Sequence, residues 1–525
     1  MPHTQHPAHN PWSKSLWAAL LCILTLCTLC IHGYHPLAED GGLYVAGVQY
    51  TLNPSLFPHY TDFVREHLRF SLFAPLIAGL VRLTHLALPT VLLLIDIFSI
   101  WLTLFAARQI LRRVIPTSEP AQLTGIALLA AWWTMPVAGT SLLLMDPYVT
   151  ARSLSTPLSL LAIAFALDDW RPRFSRAILC LLSLGLATIF HPLMAAYAIA
   201  FVIVLRCSRL NLAFKTRTLL WLSLASAAFI VAAILQSFAP PESRAAIAAA
   251  ITRYYWFLSQ WQWYELLGLA GPPAMLTLLL IFRSGRVSAP ARTLCHASLV
   301  IASIVTLTAL LFAHESYPTH LIARLQVLRI YLLLYAVMTL LIGATLFQLC
   351  NEKRQQTSSP TARHILLATP ALLILTMAAI MGFVQRQSFP ASPHVELPWR
   401  ANPNPWVQAF LWAKANTPTD ALFALDAKYV NEDGEDAQTF RATALRSALP
   451  DYSKDGGEAS ITPAFAPQWQ QGAAAQKNLS QQSNTQRDAN LLPFHVTWMV
   501  LHSAAPTSHP CPYNNRVIKV CELTP

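Results

Sequence analysis

The sequence predicts a mostly α-helical, polytopic membrane bundle followed by a small external α/β domain. Three observations carry that prediction. Hydrophobic residues make up 54% of the 525 residues and charged residues only 12%, and the mean hydropathy is +0.43, which is too apolar for a soluble chain. Apolar runs recur at a length near the roughly 20 residues that a helix needs to cross a bilayer. From about residue 386 prolines cluster in "SFPASPHVELPWRANPNP" and polar, Gln-rich stretches replace the apolar runs.

The apolar runs fall at 15–34, 90–107, 122–141, 149–167, 175–190, 192–206, 218–237, 263–282, 295–313, 327–349 and 364–385, about eleven spans of the expected length. The first is too late and too long for a signal peptide, and "TLCTLCIHGYH" has no small-residue cleavage site, so it is expected to stay as an anchor. The runs on either side of His191-Pro192 are short, and tilted or re-entrant segments suit them. The stretch "FSLFAPLIAGLVRLTHLAL" at 70–88 contains Pro75, Arg82 and His85 and precedes Pro89; it suits a helix lying along the membrane surface. Residues 35–89 are then one long external loop.

Lys and Arg remain on the cytoplasmic side of short loops. Lys14, Arg108, Arg112 and Arg113, Arg171 to Arg176, Arg206 to Arg217, Arg283 to Arg292, and Lys353 to Arg363 fall in alternate loops. This places the amino terminus inside, the multi-pass portion 1–385 in a bacterial inner membrane, and the tail 386–525 in the periplasm. The net charge of +11 is accounted for by these loops rather than by a basic domain, so nucleic-acid binding is not indicated.

In the tail, "PWVQAFLWAKANTPTDALFALD" reads as a helix stopped at Asn416-Thr417-Pro418 and followed by a strand at 421–425. "FHVTWMVLHSA" and "RVIKVCELTP" read as two more strands, and "QWQQGAAAQKNLSQQSNTQRDAN" as a polar helix or mobile loop. Cys511 and Cys521 flank "PYNNRVIKV"; a disulfide and two separate buried thiols are both open for them.

Polar clusters concentrate on the external face. "HPLAEDGGLY" puts Glu39 and Asp40 just past the first span, before a glycine pair expected to turn the backbone under them. "MDPYVTARS" holds Asp146 and Arg152, "IFHPL" holds His191, and "HESYPTHLIARLQVLR" holds His314, Glu315, Arg324 and Arg329. Asp146 before Pro147 is also a helix-start pattern, so capping and chemistry both remain open for it. An arginine in an apolar segment, as Arg329 is here, is costly unless it has a partner. The aromatic run from Tyr254 to Tyr264 suits an interfacial belt. Chemically, a carboxylate can activate an acceptor hydroxyl or hold a metal, and arginines can neutralise a phosphate leaving group.

An acidic pair after the first helix, a long external loop with an interfacial helix, a second span ending in "ARQILRR", many further spans and an external tail together resemble the GT-C superfamily of membrane glycosyltransferases. The resemblance implies a GT-C-like bundle and transfer of a sugar from a polyprenyl-phosphate-linked donor to an envelope acceptor. It implies catalytic roles for Asp40, Glu39 and Asp146, with Asp40 and Asp146 as ligands of a divalent cation (Mg or Mn). Arg152, His191, His314, Glu315, Arg324 and Arg329 would bind substrate. The tail lacks a WWD-type acceptor motif, and Asp146 has no neighbouring carboxylate. The tail also resembles those of a group of bacterial multi-pass proteins through "ANTPTDALF" and "FRATALRSALPDYSKD", a likeness that implies no activity. The competing reading is a transporter or flippase of lipid-linked saccharides, or a membrane scaffold; paired halves would favour a transporter, and no internal symmetry is visible.

Overall fold

The computed structural model of the protein describes residues 12–283, 285–426 and 439–523. The chain is mostly helical, and every expected apolar run contains a helix. Helix α1 is Lys14–His32; the loop after it folds into α2 (Asp40–Leu52), α3 (Asp62–Arg65) and α4 (Phe73–Thr84). There follow α5 (Leu88–Val114), α6 (Glu119–Ala131), α7 (Ala151–Ala166), α8 (Phe174–Phe190), α9 (Pro192–Ser208) and α10 (Phe214–Phe238). The rest of the bundle is α11 (Arg244–Ile251), α12 (Trp263–Phe282), α13 (Ala289–Phe312), α14 (Leu321–Arg324), α15 (Tyr331–Gln356) and α16 (Pro360–Ser388).

Seven of the described segments are long and apolar enough to cross a membrane: α1, α5, α10, α12, α13, α16, and α15 with the turns leading into it. The expected total of about eleven also counts α6 to α9. Of these, α7, α8 and α9 have 16, 17 and 17 residues, short of the roughly 20 a perpendicular span needs. The expected span 122–141 is corrected: α6 stops at Ala131. Pro136 follows closely and disfavours helix at the residue before it. Residues 132–150 run instead through an antiparallel bridge between Pro136 and Leu143, with positive φ at Ala138 and Ser141. Most of this stretch is buried, the condition under which irregular backbone is tolerated at membrane depth.

The bundle core joins Leu104 and Ile110 of α5, Ile126 of α6, Ile163 of α7, Phe201 of α9, Leu294 of α13 and Leu332 of α15. Helices α6 and α15 touch backbone to backbone. A Cβ on Gly343 would stand 2.9 Å from the Thr124 carbonyl oxygen, and one on Gly125 2.6 Å from that of Leu340. By contrast α10 and α16 bury almost nothing, exposing Leu222, Ile230, Leu372 and Leu375; such a surface needs hydrocarbon rather than water around it. The surface helix expected at 70–88 is α4, which buries Phe73, Ala74, Ile77 and Ala78 and ends at His85 in the left-handed conformation.

Ionic contacts tie the helix ends together on two sides. On one side Arg113 pairs with Asp168 at 2.7 Å and Arg283 with Glu352 at 2.7 Å. The Trp17 indole donates to Glu119 there as well. The loop carrying Asp40 and the tail lie on the opposite side.

The tail folds around one mixed sheet. Its elements are α17 (Pro405–Asn416), β1 (Leu422–Ala424), α18 (Thr439–Ala444), β2 (Ser447–Ala448), α19 (Lys454–Ile461), α20 (Ala466–Ala475), α21 (Asn484–Leu491), β3 (Trp498–His502), β4 (Tyr513–Asn514) and β5 (Ile518–Glu522). Strand order is β2-β1-β3-β5-β4, parallel among β2, β1 and β3 and antiparallel among β3, β5 and β4. Side chains alternate across a strand: Trp498 and Val500 pack with Phe410 and Phe440, while Met499 and Leu501 pack with Leu479 and Leu491 on the other face. The expected helix at the start of the tail and all three expected strands form. The Gln-rich stretch, for which a mobile loop was the alternative, becomes α20 and α21, the latter opened by a capping box between Ser483 and Gln486. Cys511 and Cys521 form a disulfide.

This α/β unit sits on the first-loop end of the bundle. Gln49 donates to the Ala442 carbonyl at 2.7 Å, Arg253 to that of Ser453 at 2.8 Å, and Arg324 to that of Ser460 at 2.7 Å. Phe63, Ala246 and Ala249 close on Ala459, Ala466 and Trp469.

Candidate active site

Asp40 is the first residue of α2, and the expected turn at the glycine pair is corrected. Glu39, at φ 50°, makes the turn, and Gly41 and Gly42 form the first helical turn behind it. A Cβ on Gly41 would meet the Pro36 carbonyl oxygen at 2.6 Å, so glycine lets α2 start tight against the chain that leads into it.

The tail supplies the partner of both acids. Lys454, first residue of α19, places its Nζ 2.5 Å from Glu39 Oε2 and 3.0 Å from Asp40 Oδ1. Its side chain is mostly enclosed, at 15% exposure, whereas the two carboxylates are about half exposed. Burial by the surrounding protein would raise the Asp40 carboxyl, but Lys454, with Arg152 and Arg329 further off, overrides this and lowers it to about 2. Asp40 is ionised at neutral pH.

Asp146 lies in the irregular stretch before α7 and does not cap it. Thr150 is the cap, in a capping box with Ser153. Asp146 instead accepts from the Arg152 guanidinium in a buried ion pair. Burial pushes the Asp146 carboxyl up, and Arg152 offsets part of that rise. Tyr148 and Tyr44 are within the field of Asp40 and Asp146. His191 ends α8, and its Nδ1 faces the Met194 amide at 3.4 Å at the start of α9; it feels the charges of Arg152, Arg329 and Asp40.

Arg329 sits in a short turn, Val327–Ile330, at the mouth of α15. Its guanidinium lies 5.2 Å from the centre of the Tyr255 ring, and among the described residues it has no ion-pair partner. It lines a narrow recess with Thr140, Tyr255, Trp256 and Gln326. There Arg329 Nε, Trp256 Nε1 and Gln326 Oε1 are buried with no hydrogen-bond partner. The aromatic run is thus only partly a surface belt: Tyr254, Trp263 and Tyr264 are exposed, but Trp256 and Trp261 are buried.

Asp40, Glu39, Asp146, Arg152, His191 and Arg329 therefore come together. Arg324, His314 and Glu315 take partners of their own. Arg324 pairs with Glu242 at 2.8 Å, and Glu242 also holds His320 at 2.9 Å. Burial acts to raise the Glu242 carboxyl, but its bonds to His320 and the charge of Arg324 bring it down to about 2. His314 bonds the Leu310 carbonyl, and Glu315 accepts from Ser259.

Lys454, Glu458 and His67 were missed in the sequence. Glu458, one turn along α19 from Lys454, is buried, and its carboxyl is raised to about 8 by burial and by Asp455, Glu66 and Asp40. His67, 4.0 Å from Glu458, is lowered to about 4 by burial. A signal was present. "EDGG" at 39–42 and "KDGG" at 454–457 both open helices, and the residues before the two aspartates meet as an ion pair.

The donor set does not fit a divalent ion as arranged. Among the described residues no group of three or more His, Cys, Asp or Glu side chains converges for a metal, and the two expected ligands each hold a cationic side chain, Lys454 on Asp40 and Arg152 on Asp146.

No catalogued protein family and no curated protein matches the chain by sequence. Solved structures do resemble it. The archaeal oligosaccharyltransferase AglB from Archaeoglobus fulgidus, in complex with an inhibitory peptide and a dolichol-phosphate, aligns over 94% of this chain and 70% of its own at 11% identity and a TM-score of 0.53. The mycobacterial arabinofuranosyltransferase AftD aligns over 95% and 36% at 12% identity and a TM-score of 0.44. A second A. fulgidus oligosaccharyltransferase structure, with Zn and sulfate, aligns over 92% and 68% at 13% identity and a TM-score of 0.43. The chain, a multi-pass membrane protein by its apolar helices, is similar in fold to the archaeal oligosaccharyltransferase AglB.

Proposed function

We propose that the protein transfers a sugar from a polyprenyl-phosphate-linked donor to an envelope acceptor at the outer face of a bacterial inner membrane. In this reading the basic helix ends face the cytoplasm, and residues 386–525 form a periplasmic domain over the site. The observation that carries it is the pairing of an ionised carboxylate, Asp40, with an arginine lacking an ion-pair partner among the described residues, Arg329. The likeness to AglB, whose structure holds a dolichol-phosphate, supports a lipid-linked donor.

In such a transfer the bond from the sugar carbon to the phosphate oxygen breaks as the acceptor oxygen attacks. Positive charge develops on the sugar and negative charge on the leaving phosphate. Arg329, with Arg152 behind it, would hold the phosphate as a charge-assisted donor. Asp40 would accept a hydrogen bond from the acceptor hydroxyl and stabilise the sugar cation, and the hydroxyl proton would leave to the departing phosphate, whose second pKa is about 6. With its carboxyl near 2, Asp40 is suited to remain charged rather than to keep a proton. Glu39, Asp146 and His191 would orient these groups. No step is assigned to a metal.

Native mass spectrometry of the detergent-purified protein tests the reading. Wild type and Asp40→Asn should retain a polyprenyl phosphate, and Arg329→Ala should lose it. Failure of wild type to hold such a lipid even when it is added back would overturn the proposal in favour of a transporter or scaffold.

A further inference from the structure

We propose that the recess at Arg329 reads the donor sugar: it takes one hydroxyl, that on the carbon next to the anomeric carbon, which donates to Gln326 Oε1 and accepts from Trp256 Nε1 and Arg329 Nε. The inference rests on the proposed lipid-linked sugar donor and narrows it to sugars that carry a hydroxyl rather than an acetamido group at that carbon.

Buried polar groups are nearly always hydrogen-bonded, and this recess departs from that rule. Trp256 is 3% exposed and Gln326 8%. Trp256 Nε1, Gln326 Oε1 and Arg329 Nε are each buried without a hydrogen-bond partner, and the three side chains line the same recess. Thr140 lines it too, but its hydroxyl is engaged, donating to the Val137 carbonyl at 2.6 Å. An indole N–H and a guanidinium N–H only donate, and an amide oxygen only accepts. Two donors and one acceptor are the complement of a hydroxyl, which has one O–H and two lone pairs. A phosphate oxygen, which only accepts, would leave Gln326 Oε1 unpaired.

Size points the same way. The cavity volume is about 10 Å³, room for a single water-sized group; a hydroxyl fits and an acetamido group does not. The backbone beneath is held for the purpose. Gln326 is in the left-handed conformation, φ 45° and ψ 46°, which glycine would adopt without strain and other residues keep only where their surroundings enforce it. Tyr197, 7% exposed, does so here: its hydroxyl donates to the carbonyls of Leu325 at 2.5 Å and Gln326 at 3.0 Å. The Arg329 amide donates to the Gln326 carbonyl at 2.8 Å.

Arg329 fixes which hydroxyl is read. Its guanidinium has donors beyond Nε with which to hold the donor phosphate, and its charge reaches Asp40. A sugar group that contacts the same guanidinium as the phosphate is the substituent nearest the phosphate, the one on the carbon next to the anomeric carbon. A hydroxyl there satisfies all three atoms at once. A deoxy sugar leaves them buried and unpaired, the situation in which a polar site rejects an analogue most strongly.

Native mass spectrometry of the detergent-purified full-length protein tests this with probes of one chain length. These are undecaprenyl phosphate, its glucosyl and mannosyl esters, which present that hydroxyl in opposite orientations, the ester of the deoxy sugar common to both, and the N-acetylglucosaminyl ester. Wild type should bind the better of the two hexosyl esters at least about tenfold more tightly than the deoxy ester, and the N-acetylglucosaminyl ester no better than the deoxy one. Gln326→Met and Trp256→Phe keep most of the bulk and remove the acceptor or the donor. Both should bring the preference to within about twofold while binding undecaprenyl phosphate itself as wild type does.

Equal affinity of wild type for the hexosyl and deoxy esters would overturn the inference, and so would a preference that survives in both variants. Tight binding of the N-acetylglucosaminyl ester would overturn it as well. In each of these cases retention of undecaprenyl phosphate leaves the proposed function standing. Loss of undecaprenyl phosphate by both variants would make Gln326 and Trp256 parts of the phosphate site instead. If wild type holds none of the lipids, the proposed function falls and this inference falls with it.

Discussion

Replacing Arg441 with alanine should destabilise the α/β unit by about 3 to 5 kcal/mol, the cost of removing one partner from a buried pair. Asp455 is 0% exposed and Arg441 4%. The guanidinium makes two bonds of 2.7 Å to the carboxylate and one of 3.1 Å to the Ala448 carbonyl. Truncation leaves Asp455 with the Asp451 amide as a remaining donor and its charge uncompensated, away from water. For a unit of this size each kcal/mol shifts the melting midpoint by about 2 to 4 °C, so Arg441→Ala should lower the midpoint of the α/β unit by roughly 6 to 20 °C.

Intrinsic tryptophan fluorescence during heating reads this transition through Trp406 and Trp498, which lie in the core of the unit. Arg441→Met with Asp455→Leu should recover much of the loss, since replacing both members of a buried pair by apolar groups is often neutral. A shift below about 2 °C in Arg441→Ala would refute the reasoning, because the carboxylate would then be finding water or another partner.

Two further outcomes follow from the interface and the tail. Glu458, ordinarily near 4.5, is raised to about 8 in the folded protein, so between those values the folded state binds more protons than the unfolded one. Stability contributed by its protonated form is complete below about pH 4.5 and is lost as pH rises through about 8; chemical denaturation of wild type against Glu458→Gln across that range should show the decline only in wild type. The disulfide between Cys511 and Cys521 closes a sequence separation of 10, for which chain entropy gives about 2 to 3 kcal/mol. Cys511→Ser/Cys521→Ser should lower the melting midpoint of the unit, and reductant should lower that of wild type but not of the double variant; equal sensitivity of both would exclude the bridge as the cause.

What the sequence by itself determined is what local chemistry encodes. A run of about 20 apolar residues can satisfy its backbone in hydrocarbon only as a helix, so α1, α5, α10, α12, α13, α15 and α16 were legible from composition. The alternation of tail strands and the stop at Asn416-Thr417-Pro418 were legible for the same reason. So was the placement of Glu39 and Asp40 just beyond the first helix, because it depends only on where that helix ends.

Tertiary structure decided the rest. Lys454 meets Glu39 across a sequence separation of 415, and no spacing rule reaches that far; only docking of α19 against α2 selects that lysine. Arg324 and Arg329, five positions apart in one polar cluster, part company because two short turns redirect the chain between them, with Gln326 in the left-handed conformation. One arginine goes to Glu242 and the other to the recess lined by Tyr255 and Trp256. Asp146 looked like a helix cap because Pro147 follows it, yet the chain stays irregular to Thr150, since the buried bridge around Pro136 and Leu143 holds it there. Charged groups in a mostly apolar protein go where a counter-charge allows their burial, and which counter-charge is near is a property of the packed molecule.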